Sequence, residues 1–175
     1  SFRQQVYDSL REVNRALLDI GQCLGATVAS TVALIVVREG QAQLVWVGDS
    51  RIGLLRAGHL LWLSRDHSLV QEMLERGGLT LEQARRHPKR NIITRAIGAD
   101  QQLEIDSRSL SIEPGDVLLA CTDGLHGVLS DQQIEHCFSA GQSVEQALQQ
   151  ALQLTLAAGA PDNISAVAIR IGQER

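Results

Sequence analysis

The sequence has few aromatic residues, 3% of 175. Platforms that stack nucleic-acid bases need such rings, so that class of protein is disfavoured. It also lacks an excess of positive charge. Sixteen Lys and Arg stand against twenty Asp and Glu, for a net charge of −4. A generally basic nucleic-acid binder and a polybasic membrane binder are both excluded by that balance. No long apolar run is present. The strongest, Val32 to Val37, is far too short to cross a bilayer. The first residues, Ser1-Phe2-Arg3-Gln4, contain no apolar signal-peptide core and no initiator Met. There is no Walker-type or G-x-G-x-x-G loop, so a nucleotide-binding fold has no support. The three cysteines, Cys23, Cys121 and Cys137, form no Cys-x-x-Cys pair. They read as small core hydrophobes in a reducing, cytoplasmic setting.

What is present is the composition of one ordinary domain, 44% hydrophobic and 21% charged. No repeat, low-complexity tract or linker divides it. Val6, Leu10, Val13, Leu17 and Ile20 follow helical spacing and predict a helix over 2–20, bracketed by Gly21 and Gly25. Thr27 to Val37 then predicts a long strand, and Gln41 to Val47 a second one. Ile52–Leu55 and Leu60–Leu63 pair around Arg56-Ala57-Gly58. Residues 66–98 read as a polar helical insertion, a flap, with a capping box at Thr80-x-x-Gln83. Strands are predicted at Leu103–Leu110, Val117–Cys121 and Ile164–Ile171. Helices open at the capping boxes Ser130-x-x-Gln133 and Ser143-x-x-Gln146. The element order favours antiparallel sheets covered by helices over an alternating βαβ fold.

Three acidic residues stand out, each at a predicted strand end: Asp49, Asp123 and Asp162. Taken singly, turn chemistry is the simpler account of each, because an Asp side chain bonds nearby backbone N–H groups. Taken together, short carboxylates aimed into one cleft make an all-oxygen site for Mg²⁺ or Mn²⁺. Such a metal can activate water and offset the charge on a phosphoryl group.

The strings around them decide between these readings. Gly25-Ala26-Thr27-Val28, Val47-Gly48-Asp49-Ser50-Arg51 and Asp66-His67-Ser68-Leu69-Val70 come first. Asn91-Ile92-Ile93-Thr94-Arg95-Ala96-Ile97-Gly98, Cys121-Thr122-Asp123-Gly124-Leu125, Val128-Leu129-Ser130-Asp131 and Pro161-Asp162-Asn163 follow. This ordered set resembles the metal-dependent protein serine/threonine phosphatases (type 2C, or PPM), in their bacterial branch. The 74- and 39-residue intervals from Asp49 to Asp123 and on to Asp162 suit that branch.

The resemblance implies an α+β fold, a sandwich of two antiparallel β-sheets flanked by helices in α-β-β-α layers. It implies hydrolysis of phosphoserine and phosphothreonine by a metal-activated water, with no covalent phosphoenzyme. Mn²⁺ or Mg²⁺ would be the cofactor, two or three ions in the complete domain. By motif match Asp123 and Asp162 would be ligands of the core metal site. Asp49 would help bind an additional metal alongside Asp123. Residues 66–98 would be the flap beside the active site. Partners would be a phosphorylated protein and, indirectly, an opposing Ser/Thr kinase.

The family's early acidic residue and its Asp-Gly-x-Gly-Gly-His type segment are not matched here, nor is its phosphate-gripping Arg. The expectation is a phosphatase domain whose N-terminal strands are missing, with little activity in these 175 residues alone. The competing reading is a noncatalytic phosphatase-like binding module. Loss of early strands would leave sheet edges open to association. For His67, His126 and His136 the expectation is a surface or helix-capping role. Arg51 and Arg95 are expected to pair with a carboxylate or carbonyl, and the Arg85–Arg90 run to be a solvated face. Trp46 and Trp62 are expected on the sheet or in the core.

Overall fold

In chain order the elements are α1 (Phe2–Leu24), β1 (Val32–Arg38), β2 (Gln41–Val47), β3 (Arg51–Arg56), β4 (His59–Trp62), α2 (Leu69–Glu75), α3 (Leu81–Arg86), β5 (Asp106–Ser111), β6 (Val117–Cys121), α4 (Asp123–His126), α5 (Asp131–Cys137), α6 (Val144–Ala157) and β7 (Ala166–Arg170). They are seen in a computed structural model that describes residues 2–139 and 141–172, apart from the side chains of Phe2 and Arg85. Ser1, and with it the very start of the reading above, lies outside the described residues. The strands form two antiparallel sheets with helices beside them, ordered β1-β2-β5 and β4-β3-β6-β7.

The chain divides into two compact units. One is Ser1–Val32, Trp46–Asp49 and Arg65–Asp106. The other is Ala33–Val45, Ser50–Ser64 and Ser107–Arg175.

The second unit is built on β6. Its sequence, Val-Leu-Leu-Ala-Cys, is apolar throughout, as a strand paired on both sides and covered on both faces must be. It pairs with β3 in the register Gly53↔Leu119 and with β7 in the register Leu119↔Ala168. Leu119, Ile134, Cys137 and Ala147 are fully buried and join β6 to α5 and α6. Both helices open with complete capping boxes, at Ser130/Gln133 and Ser143/Gln146. Each box satisfies two backbone donors that the first helical turn would otherwise leave open. Gly53 in β3 admits the Leu60 and Trp62 side chains; a Cβ there would lie 2.9 Å from Leu60 Cδ1. Cys121 and Cys137 are buried, and burial pushes the Cys137 thiol above its ordinary range. Cys23, by contrast, is exposed, which corrects the core role expected for it.

One buried charge ties this unit together. Asp116, 2% exposed, accepts from Arg56 Nε and Nη2 at 2.9 and 2.7 Å and from the Glu113 N–H at 2.8 Å. These bonds hold its carboxyl below the usual aspartate range, chiefly through Arg56, although burial works the other way. A carboxylate with a depressed folded pKa stabilises above its unfolded value, near pH 4, and that stability is lost as pH falls through the folded value. Charge-assisted bonds are worth about 1.5–3 kcal/mol each when one partner is removed. In the full-length protein Asp116→Ala is therefore expected to cost about 3 kcal/mol, or about 6–12 °C in thermal melting. Asp116→Asn is expected to weaken the acid limb of a stability–pH curve measured by urea unfolding.

In the first unit, α1 runs through Gly21, whose missing Cβ leaves room for the Ala26 carbonyl; a Cβ there would lie 2.7 Å from its oxygen. Gly25, at φ +62°, stops it in the left-handed conformation that glycine adopts without strain. The helix is thus four residues longer than its apolar spacing predicts. Val13 and Ile20 of the predicted stripe are about half exposed, while Asn14 is 2% exposed. The Asn14 amide donates to the Asp100 carbonyl at 2.8 Å and accepts from the Gly98 N–H at 2.7 Å. The predicted strand from Thr27 begins only at Val32. Before it, Ser30 makes a single two-bond bridge to Ile97. The strand predicted from Leu103 begins at Asp106, and that from Ile164 at Ala166. In each case apolar residues of a connecting loop were read as strand, because alternation does not reveal which backbone has a partner.

Candidate metal centre

Asp123 and Asp162 lie in the same unit, on two segments held against each other. Backbone pairing of β6 with β7 ends at Cys121↔Ala166 and continues as a bond from the Thr122 N–H to the Ser165 carbonyl at 3.0 Å. Thr122 Oγ1 accepts from the Ser165 N–H at 3.0 Å and lies 3.3 and 3.4 Å from the Asn163 and Ser165 carbonyl oxygens, to which it can donate. The next residues turn into α4, a single helical turn headed by the half-buried Asp123. The expectation was a strand-end turn. Gly124 explains the close approach, since a Cβ there would overlap the Asn163 carbonyl oxygen. Asp162 is exposed, and its Oδ1 accepts from the Asn163 N–H at 2.7 Å. The two carboxylates are thus presented from adjoining backbone segments rather than from unrelated turns.

Asp49 belongs to the other unit, where it follows Gly48 at the end of β2. Gly48 has φ +110°, and the Thr31 side chain fills the place of its absent Cβ. His67 grips the same residue. Its ring Nδ1 accepts from the Gly48 N–H at 3.0 Å, and its own N–H donates to the Gly48 carbonyl at 2.9 Å. His67 is 6% exposed, so the surface role expected for it is wrong. Sequence spacing could not show this, because the two residues are nineteen positions apart on different elements.

The remaining candidates are placed as follows. Arg95 pairs with Glu104 at 3.2 Å and Asp106 at 3.6 Å, as expected of it. The Arg51 guanidinium lies 5.4 Å from the centre of the Trp62 ring. That ring and the His126 ring are arranged edge to face with their centres 5.9 Å apart, and the indole N–H donates to Asp131 at 3.1 Å. Trp46 is buried and donates to the Arg65 carbonyl at 2.9 Å. His136 is exposed in the last turn of α5. In the basic run, Arg86 pairs with Glu82 at 3.4 Å. The Arg85 side chain lies outside the described residues.

No protein-family model matches the chain. It is, however, 36% identical over 168 residues to a type 2C protein phosphatase of Streptococcus pyogenes, covering 93% of this chain and 67% of that protein. The chain belongs to the type 2C protein phosphatases. That family comprises metal-dependent serine/threonine protein phosphatases, and the similarity lies in its bacterial branch. Protein phosphatase PhpP of Streptococcus pneumoniae is 33% identical over 147 residues, and the chain spans 60% of its length. Among solved structures, the serine/threonine phosphatase of S. agalactiae matches 98% of this chain and 71% of its own, at 32% identity and a TM-score of 0.92. The catalytic domain of the phosphatase PstP, solved in complex with 2 manganese ions, matches 90% of this chain and 66% of its own, at 28% identity and a TM-score of 0.79.

The residues present fit such an ion in kind. Mn²⁺ and Mg²⁺ take hard oxygen ligands and keep some of their waters, so a few carboxylates suffice. Asp123 and Asp162 are carboxylates of that kind, on segments that Gly124 allows into contact. Among the described residues, no group of three or more His, Cys, Asp or Glu is placed to hold a metal ion. Also among them, no helix is long and apolar enough to cross a membrane.

Proposed function

We propose that the protein to which these residues belong hydrolyses phosphoserine and phosphothreonine esters in phosphoproteins, reversing a Ser/Thr kinase. Asp123 and Asp162 hold the core Mn²⁺ or Mg²⁺, and Asp49 is a ligand of an additional ion. The observation that carries the reading is the joining of the Asp123 and Asp162 segments through Thr122, Gly124 and Asn163, in a chain of this family. Bound metal supplies positive charge for the phosphoryl oxygens and lowers the pKa of water. The protein's part is to hold the carboxylates in place before substrate arrives. Thr122 fixes the start of α4, Gly124 sets the spacing to Asn163, and the Asn163 N–H holds one oxygen of Asp162. The family's early acidic motif is not among these residues, so activity is expected of the full-length protein rather than of the 175 residues alone.

The test is release of phosphate from a phosphothreonine peptide by the full-length protein. Activity should appear with Mn²⁺, fall to background with a chelator, and return when Mn²⁺ is restored. A folded, Mn²⁺-loaded full-length protein without activity would sink the proposal.

A further inference from the structure

His67 is fixed on every side. Its carbonyl accepts from the Thr94 N–H at 2.8 Å, and its N–H and Nδ1 both bond Gly48. A ring nitrogen that accepts from an N–H carries no proton, so the proton of the neutral imidazole sits on Nε2. Nε2 lies 3.2 Å from Asp106 Oδ2 and donates to it. Asp106 is steadied in turn by Arg95, at 3.6 Å. The chain Arg95–Asp106–His67–Gly48 ends at the N–H of Gly48, the residue immediately before Asp49. From the other side the Thr31 side chain packs where a Cβ on Gly48 would stand.

We infer that His67 is a positioning residue for Asp49: its Nδ1, kept free to accept by Asp106, sets the backbone from which that carboxylate projects. The inference rests on the reading of Asp49 as a metal ligand. Around metals, ligating side chains are commonly held in place by hydrogen-bonding partners that do not touch the ion themselves. A purely structural histidine, filling a buried space, would make a different prediction for the two amide substitutions that replace it.

Asn at position 67 places an acceptor oxygen where Nδ1 stands and gives up the bond to Asp106. Gln places its polar end where Nε2 stands and gives up the bond to Gly48. In the full-length protein, calorimetric titration with Mn²⁺ is expected to find His67→Gln weakened by about 10-fold or more, the range for groups that orient metal ligands. His67→Asn should stay within about 3-fold of the parent. Asp49→Asn should lose the same binding event. Equal weakening in both His67 variants, in step with their loss of melting temperature, would overturn the inference. So would unchanged Mn²⁺ binding in His67→Gln. If Asp49→Asn binds Mn²⁺ as the parent does, it is the ligand reading that fails, and the inference falls with it. Nitrogen NMR of the unsubstituted protein gives a check that needs no variant. It should find Nε2 protonated, Nδ1 bare and the Gly48 amide slow to exchange; a protonated Nδ1 would overturn the inference.

Discussion

Asp123→Asn in the full-length protein is expected to reduce Mn²⁺-dependent phosphatase activity by at least about 100-fold. Loss of groups that only orient a metal ligand costs about 10- to 100-fold, so loss of a ligand's charge should reach the upper end or pass it. Its effect on folding should be small. The substitution keeps the shape of the side chain, Asp123 is only half buried, and it heads a helix of one turn. A charge at a helix start contributes about 0.3–1 kcal/mol. Peptide phosphate release at several Mn²⁺ concentrations, with a thermal melt alongside, separates the two effects. Retention of more than a tenth of the activity would mean that Asp123 is a turn residue and not a ligand.

Gly124→Ala tests the other half of the same geometry. The new Cβ would overlap the Asn163 carbonyl oxygen and sit 2.8 Å from its carbon. Backbone stands there, not the far end of a flexible side chain, so one segment must move. Overpacking of this kind costs about 1–3 kcal/mol. Either segment carries a carboxylate: Asp123 adjoins Gly124, and Asp162, whose Oδ1 is held by the Asn163 N–H, adjoins Asn163. Mn²⁺ affinity is therefore expected to fall by about 10- to 100-fold, read by calorimetry, although both carboxylates remain. Wild-type affinity in a folded Gly124→Ala protein would show that the two segments do not act together.

Much of this was legible in the residues alone. β2 and β6 were predicted to the residue, and all three capping boxes formed. These signals are local: alternation, an unbroken apolar run, and a Ser or Thr three positions before Gln. The ordered motif strings led to the family, because seven short matches in one order leave few alternatives. The errors fell where a local signal had no partner to confirm it. Thr27–Thr31 has the composition of a strand, yet among the described residues its strand-like pairing is the isolated Ser30–Ile97 bridge. Gly21 suggested a helix end, but the turn at Ala26 needed a glycine inside the helix.

The sequence by itself determined the class of fold, the family and the glycine-marked turns, and it singled out three carboxylates for test. The turns follow from residue type along one chain; the fold, the family and the three carboxylates follow from the resemblance that the ordered motif strings carry. Only the tertiary structure decided what holds the carboxylates in place. Thr122 meets Ser165 across 43 residues, Asn14 meets Gly98 across 84, and His67 grips Gly48 across 19. A histidine's neighbours, and so which of its nitrogens bears the proton, are set by chain segments that spacing does not relate. Burial and hydrogen-bond partners belong to the folded backbone, and they turn His67 from a surface residue into the clamp before Asp49.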